Sequence, residues 1–485
     1  MAIALSKLID SIPAETEISG LALDSRLVKP GDLFFAFQGS QVDGKLFIAE
    51  AMQKGASAVL VDEDHLVAMQ DTPIFFVENL RKKIGDIAAK FYHHPSQKMQ
   101  MIGVTGTNGK TSCTHFIAAA LKQLNKTCGV VGTLGSGLYG QPFIDTLTTP
   151  DPVTLQKTLA DFLQKKASHV AMEVSSHSLD QDRIVGIHFA VALFTNLTRD
   201  HLDYHGTMEA YGRAKQKLFE NFSVDHAVVN YDDAFGRHLL DVVANKSAFA
   251  YSLNPQKIKM PLIYAKNIML DLHGIRATVV TPWGEGELHS QLVGQFNLSN
   301  LLGVLTTLCL LDIPLATVLQ CLSHLHPVPG RMQTLGGGEH PVAVVDYSHT
   351  PDSLEKALST LRENCQGKLY CVFGCGGDRD RGKRPVMAKI AESFADEVIL
   401  TDDNPRFEDP AQIFQEVMAG FNDAAKVIAI HDRAKAITST LAKAKKGDCV
   451  LIAGKGAEMY QIIKDEKKHF SDVEVTQNFF ASSRT

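Results

Sequence analysis

The segment Gly106-Thr107-Asn108-Gly109-Lys110-Thr111-Ser112 has the residue types and order of a phosphate-binding loop. It leaves the apolar run MIGVT and enters a stretch with helical patterning, so backbone N–H groups and a helix N-terminus would face the ligand. A lysine at position 110 would neutralise the β- and γ-phosphates, and the Thr111 hydroxyl is suited to Mg²⁺. The spacing departs from G-x-x-x-x-G-K-[ST], because Val104 stands five residues before Gly109. The pattern predicts nucleotide binding and leaves the reaction open.

A second group of reactive residues follows. HVAMEVSSHSLDQDRI places Glu173 near the end of an apolar strand, and FTNLTRDHLDYHG offers Asp200, His201, Asp203 and His205 after another. YGRAKQKLF then puts Lys215 on a helix. Taken singly, each is more often a solvated charge or a satisfied histidine than a ligand. Their density at successive strand ends beside a phosphate loop predicts a Mg²⁺ site of oxygen and imidazole ligands.

Three blocks of sequence would carry these groups. Residues 1–97 alternate short strand-like runs (GLALDS, DLFFAF, ASAVLVD, PIFFVE) with turns, and HHPSQ at 93–97 is a polar, proline-bearing break that reads as a linker. Residues 98–328 read strand, glycine-rich turn, helix, strand, with the alternation continuing, which predicts a largely parallel sheet with helices on its faces. HPVPGR at 326–331 is the second break and a candidate hinge for domain closure. In 329–485, VAVVDY, KLYCVFGCGG, EVILTDDN, KVIAIHD and CVLIAGKG read as strands of a second doubly wound unit, with ligands beyond their carboxyl ends. There is no repeat of fixed period and no low-complexity tract.

Bulk properties restrict the function classes. A chain of 485 residues exceeds one ordinary core. With 45% hydrophobic and 21% charged residues it is globular, and a net charge of −6 argues against a general nucleic-acid binder. The eight cysteines are scattered without C-x-x-C spacing; three residues separate Cys371 from Cys375, and no metal ligands lie near them. Reduced thiols in a cytoplasmic protein are expected. MAIALSKLIDSIP lacks a signal-peptide core, and the longest apolar run, LLGVLTTLCLL, is shorter than a membrane span and predicts a buried helix.

GTNGKTS, MEVSSHSLDQDRI, TNLTRDHLDYHG, GRAK and GQFNLSNLLG, in this order, resemble the Mur ligases, and the resemblance runs over essentially the whole chain. It implies an α/β protein of three domains: a UDP-binding domain (1–97), a central P-loop-type ATPase with a mostly parallel sheet (98–328) and a C-terminal Rossmann-like, amino-acid-binding domain (329–485). Lys215 matches the family's carbamylated lysine, whose carbamate would ligate a second Mg²⁺. Glu173 and His201 match metal ligands. Asn297 and Asn300 match nucleotide contacts, though capping of the helix LLGVLTTLCLL is an alternative role. Arg331 and Asp346 match residues that close over ATP, with His349 near them.

The same resemblance assigns the other substrates. Leu23, Ser25 and the turn Ser40-Gln41-Val42 match a uridine pocket, and Thr148, Thr149, Ser175, Gln181 and Arg183 match positions that hold a muramoyl dipeptide. TDDNPRF places Asp403, Asn404, Pro405 and Arg406 at a strand mouth and resembles the diaminopimelate-adding branch. An extra distal carboxylate calls for a fixed guanidinium, and Arg406 supplies one. Arg379, Gly454 and Glu458 match the remaining amino-acid contacts, Glu458 toward an ammonium. Without the family context DNPR is equally an ordinary Asn-Pro turn. The implied activity is an ATP- and Mg²⁺-dependent amide ligation through an acyl phosphate, by a monomer without a membrane span. A lysine-adding sibling, a folylpolyglutamate synthetase and a non-catalytic nucleotide-binding relative are the rival readings.

Overall fold

The structure, a computed structural model, describes residues 2–39, 42–62, 73–271 and 274–482. They form two compact units: Met1–Gly103 with Leu124–Ala192 and Ala214–Asp225, and Val104–Gln123 with Leu193–Arg213 and His226–Thr485. No helix among the described residues is long and apolar enough to cross a membrane.

In the first unit, the strands Gly20–Ala22, Asp32–Ala36, Ala58–Val61 and Ile74–Phe76 pair in that order, all parallel. Their apolar residues alternate between faces as a strand's period of two requires. Leu33, Phe35 and Leu60 pack with Leu80, Ile84 and Ile87 of the helix Leu80–Phe91, while Phe34, Val59 and Val61 pack with Ile48 on the other side. The expected linker at 93–97 is a packed 3₁₀ turn, Pro95–Lys98, with Pro95 and Ser96 buried. Further along, His169–Glu173 pairs parallel with Cys128–Gly132, which turns into the antiparallel Gly135–Leu138.

The second unit corrects one expectation. Ser223–Asn230, Ser247–Ser252 and Leu262–Asp271 are parallel neighbours, but Gly274–Thr281 and Gly284–Ser290 continue as an antiparallel meander. Chain chemistry explains the switch: Thr281 accepts from Trp283 N–H and donates to the Gly284 carbonyl, closing a two-residue turn where a helical crossover was expected.

The C-terminal sheet runs in the order Gln333–Gly336, Val342–Asp346, Cys449–Ala453, Leu369–Phe373, Glu397–Leu400, Val427–Ala429. The first pair is antiparallel and the rest are parallel. Both faces are covered: Leu369, Cys371 and Phe373 meet Leu354, Leu358 and Met387, whereas Tyr370 and Val372 meet Ile437 and Leu441. Because the last-formed parallel strand inserts between the first two, the loops after Asp346, Phe373 and Ala453 open at a topological switch point, where such sheets bind ligands. An edge strand at 333–336 and a hairpin, Tyr460–Ile463 with Glu466–His469, were not expected from the sequence.

Candidate active site

The strand Gln100–Thr105 ends in the loop and the helix Lys110–Gln123 begins at Lys110. Gly106 (φ +147°) and Gly109 (φ +87°) hold backbone angles that disfavour a side chain. A Cβ would stand 1.9 Å from Thr195 Oγ1 at the first and 2.6 Å from Asn300 Oδ1 at the second. Lys110 Nζ donates to the carbonyls of Gly106 (3.0 Å) and Thr107 (2.9 Å), so its ammonium lies over the loop. Asn108 and Asn196 exchange hydrogen bonds, N–H to Oδ1 at 2.9 Å and Nδ2 to the Asn108 carbonyl at 3.1 Å. Thr107 Oγ1 bonds Tyr211 and the Thr198 carbonyl, both at 3.1 Å. The loop is thus held by the segment after Phe194 and keeps its N–H groups in a rigid turn. Ser112 is buried in the first helical turn.

Several C-terminal residues meet this loop. Arg331 Nη2 donates to Thr111 Oγ1 at 2.9 Å and its guanidinium lies 4.2 Å from the Tyr347 ring centroid. Tyr347 in turn stacks edge-on against His349. A cation at the Thr111 oxygen would displace the guanidinium. Asp346 accepts from Met332 N–H at 2.7 Å and from Ser348, and burial pushes its carboxyl up. Asn108 Nδ2 also donates to Asp352 at 2.8 Å.

Asp200 is buried and ringed by His201 (3.3 Å), His349 (3.6 Å) and Lys383 (3.7 Å). Burial opposes its charge, but the His349 contact, Lys383 and His201 together hold its carboxyl well below the usual range. Asp203 and His205 lie on the short helix Leu202–His205, which His201 precedes with φ +55°. Asn297 and Asn300 lie inside the helix Gln295–Leu310, not at its start; Gly294 is its N-cap. The capping role is therefore replaced: both are buried on the helix, Asn297 donating to the Val293 carbonyl and Asn300 facing Gly109.

His115, on the phosphate-loop helix, is buried, and burial followed by the Arg331 charge pushes its pKa down to about 4. Its unfolded value is about 6.5, so the unfolded chain binds the extra proton between these limits. The stability linked to neutral His115 is full above pH 6.5 and falls as pH drops to about 4. We expect His115→Gln to lose up to about 3 kcal/mol of this pH dependence. Urea midpoints of the two proteins at pH 7 and pH 4.5 check it; parallel pH profiles would refute the assignment.

The first unit gathers another set. Glu173 is 1% exposed and accepts from Thr133 N–H (2.8 Å) and Oγ1 (3.1 Å). Thr149 Oγ1 donates to the Glu173 carbonyl at 2.8 Å, and Thr148 bonds Thr133. Ser175 caps the helix Ser176–Asp180. Arg183 donates to the Thr149 carbonyl and twice to Gln181 Oε1. Five expected dipeptide contacts and one metal ligand thus share one polar cluster. Lys215 is 1% exposed on the helix Met208–Glu220. Around the N-terminal sheet, Ser25 is buried in the 3₁₀ turn Ser25–Leu27 and donates to Glu50 at 2.6 Å, Leu23 is half-buried, and Val42 is exposed; Ser40 and Gln41 lie outside the described residues.

At the C-terminal switch point, Arg406 Nη1 donates to the Gly377 carbonyl at 2.8 Å, and Arg379 faces the same glycine turn. Burial, then the neighbouring Arg379 charge, lowers the Arg406 pKa. Two guanidiniums close enough to feel each other's charge invite an anion. Asn404 donates to Glu458 (3.0 Å) and accepts from buried Lys455 (2.9 Å), which also pairs with Glu458 at 2.8 Å. Asp403 is buried beside Gly454; desolvation is outweighed by Lys455, Arg433 and the Asn404 N–H, lowering its carboxyl pKa. Pro405 is buried between these residues and fixes the turn. Sequence reasoning missed Lys383, Lys455, Arg384 and Glu408; nothing in the local motifs GKRP and GKGAE shows that their lysines are buried.

The chain matches three family descriptions in order: "Mur ligase family, catalytic domain" over 17–92, "Mur ligase middle domain" over 104–308 and "Mur ligase, glutamate ligase domain" over 330–456. It is 48% identical over 97% of its length, and 98% of the relative's, to UDP-N-acetylmuramoyl-L-alanyl-D-glutamate--2,6-diaminopimelate ligase of Coxiella burnetii. The chain belongs to the Mur ligase family. A protein of the same description from Ectopseudomonas mendocina is 49% identical to this Mur ligase, covering 98% of the chain and 97% of the relative. A solved structure of a 2,6-diaminopimelate ligase of that description superposes with a TM-score of 0.73 at 35% identity, covering all of both chains. The solved structure shares the α/β architecture described above.

Proposed function

We propose that this Mur ligase joins meso-diaminopimelate to the D-glutamate side-chain carboxylate of UDP-N-acetylmuramoyl-L-alanyl-D-glutamate, consuming ATP, in the cytoplasm and as a monomer. The observation that carries the reading is the paired Arg379 and Arg406 at the switch point of a chain that also keeps a phosphate loop. Domain limits of 1–97, 98–328 and 329–485 accord with the three matched segments. Eight free thiols suit a reducing compartment.

In the first step a carboxylate oxygen attacks the γ-phosphorus of ATP, the bond to the β-bridging oxygen breaks, and ADP leaves. In the second, the amine attacks the acyl carbon, phosphate departs and the nitrogen loses a proton. Both steps need positioning and charge neutralisation more than a protein nucleophile. Lys110 and the loop N–H groups hold the phosphates, and Arg331 stacks beside them. Thr148, Thr149, Ser175, Gln181 and Arg183 hold the dipeptide, and Leu23, Ser25, Ser40, Gln41 and Val42 the uridine end. Arg379 and Arg406 grip the distal carboxylate, with Asp403, Asn404, Gly454 and Glu458 around the ammonium.

The donor set fits Mg²⁺. Glu173 offers a buried, oriented carboxylate. Mg²⁺ usually takes one or two carboxylates plus substrate phosphates, not a protein cage. Thr111, Glu173, His201 and carbamylated Lys215 would hold two ions. Bound Mg²⁺ would neutralise phosphate charge and polarise the γ-phosphoryl group.

The test is product formation from ATP and the UDP-muramoyl dipeptide with diaminopimelate and lysine offered in parallel. Product with diaminopimelate alone, with one phosphate released per bond formed, is expected. Preference for lysine would overturn the role of Arg406 and keep the ligase.

A further inference from the structure

Arg384 is fully buried at the start of the helix Arg384–Phe394, yet it touches none of the groups assigned to substrate. Its Nη1 donates to Glu408 Oε2 (2.9 Å) and Glu416 Oε2 (2.7 Å). Its Nη2 donates to Glu408 Oε1 (3.0 Å) and the Gly376 carbonyl (3.1 Å). A guanidinium removed from water is tolerated only with such pairing, so its geometry is fixed by its partners. Glu408 Oε1 also accepts the Asp378 N–H at 2.6 Å. The pair therefore grips the backbone of the glycine turn at two points.

The grip lies between the two arginines. Asp378 directly precedes Arg379, and Glu408 follows Arg406 by two positions. The turn and the DNPR segment are further laced by Gly377 N–H to the Asn404 carbonyl (2.9 Å) and Phe407 N–H to Asp378 Oδ2 (3.2 Å). Two like-charged guanidiniums repel unless something rigid holds them, and a site held in advance binds its anion more tightly.

We propose that Arg384 and Glu408 are positioning residues that hold Arg379 and Arg406 in place for the distal carboxylate, setting the preference for diaminopimelate over lysine. This rests on the assignment of those two arginines to the amino acid. Glu408 needs its charge to hold Arg384, and Arg384 needs its fork to reach Glu408, Glu416 and Gly376 together.

The experiment is steady-state kinetics of the full-length Glu408→Gln and Arg384→Lys proteins, with thermal midpoints as a check on folding. E408Q is expected to raise KM for diaminopimelate on the order of 10-fold, with kcat within about threefold and KM for ATP and the UDP-dipeptide unchanged. R384K, which keeps the charge, should shift the same KM by less, and it serves as the readout if E408Q does not fold. In an R406A background E408Q should raise the same KM by less than it does in wild type, because part of its effect runs through Arg406. A folded variant with unchanged KM for diaminopimelate, or an equal rise for all three substrates, overturns the proposal alone. Wild-type protein that uses lysine and not diaminopimelate overturns the functional reading and the proposal with it.

Discussion

Arg406→Ala is expected to lower kcat/KM for diaminopimelate by about a hundred- to a thousandfold, the usual cost of truncating one side of a buried charge-assisted pair. The guanidinium is oriented by the Gly377 carbonyl and sits beside Arg379, so a carboxylate arriving there meets two cations already in place. Lysine has no distal carboxylate and should lose far less, so discrimination collapses along with activity. Arg406→Lys keeps a charge without the planar fork and should fall between wild type and alanine. The backbone supplies a control. Arg406 holds φ +53°, a left-handed angle that costs a residue with a Cβ about 1 kcal/mol and costs glycine little. Arg406→Gly should therefore unfold no earlier than wild type while matching the alanine variant in activity. Parallel kcat/KM measurements with diaminopimelate and lysine decide it; unchanged discrimination in a folded R406A protein would move the carboxylate site elsewhere.

That site could be read from the sequence only in part, and the reason is distance along the chain. DNPR follows a strand, so its place at a strand mouth was readable from local pattern. The pairing of Arg384 with Glu408 was not, because 24 positions and a helix lie between them and only the folded sheet joins them. Local signals also served the phosphate loop, where strand, glycine and lysine follow one another without interruption. They failed at Asn297 and Asn300: the unbroken apolar run begins after them, but the helix starts at Gln295, where Phe296 and Leu298 already belong to it. They failed again at 274–290, where regular strand–helix alternation was extrapolated across the turn that closes at Trp283. The buried lysines were the hardest case. Residue type argues for a surface position, and it takes the distant Asn404 beside the local Glu458 to make Lys455 a core residue.

Lys215→Arg is expected to lower turnover by at least about a thousandfold while leaving ATP affinity within a few-fold, the pattern of a lost interaction that matters chiefly in the transition state. Tyr211, Leu218 and Phe219 are the buried neighbours of Lys215 at helical spacing, so the lysine occupies a position on the apolar stripe. Lys217, two residues on, is turned away and pairs with Asp180. The neutral amine is the form that reacts with CO₂. In that reaction the neutral amine nitrogen bonds the carbon of CO₂, one proton leaves the nitrogen, and a carbamate anion results. A carbamate gives the hard oxygen ligand that Mg²⁺ prefers, whereas arginine keeps the size and the wrong sign. Wild-type protein equilibrated with ¹³C-labelled CO₂ should show one labelled carbamate that K215R lacks, and stripping CO₂ should inactivate wild type reversibly. Full activity after exhaustive removal of CO₂, or a labelled carbamate persisting in K215R, would show that Lys215 works as an ordinary amine and that the metal is held by other oxygens.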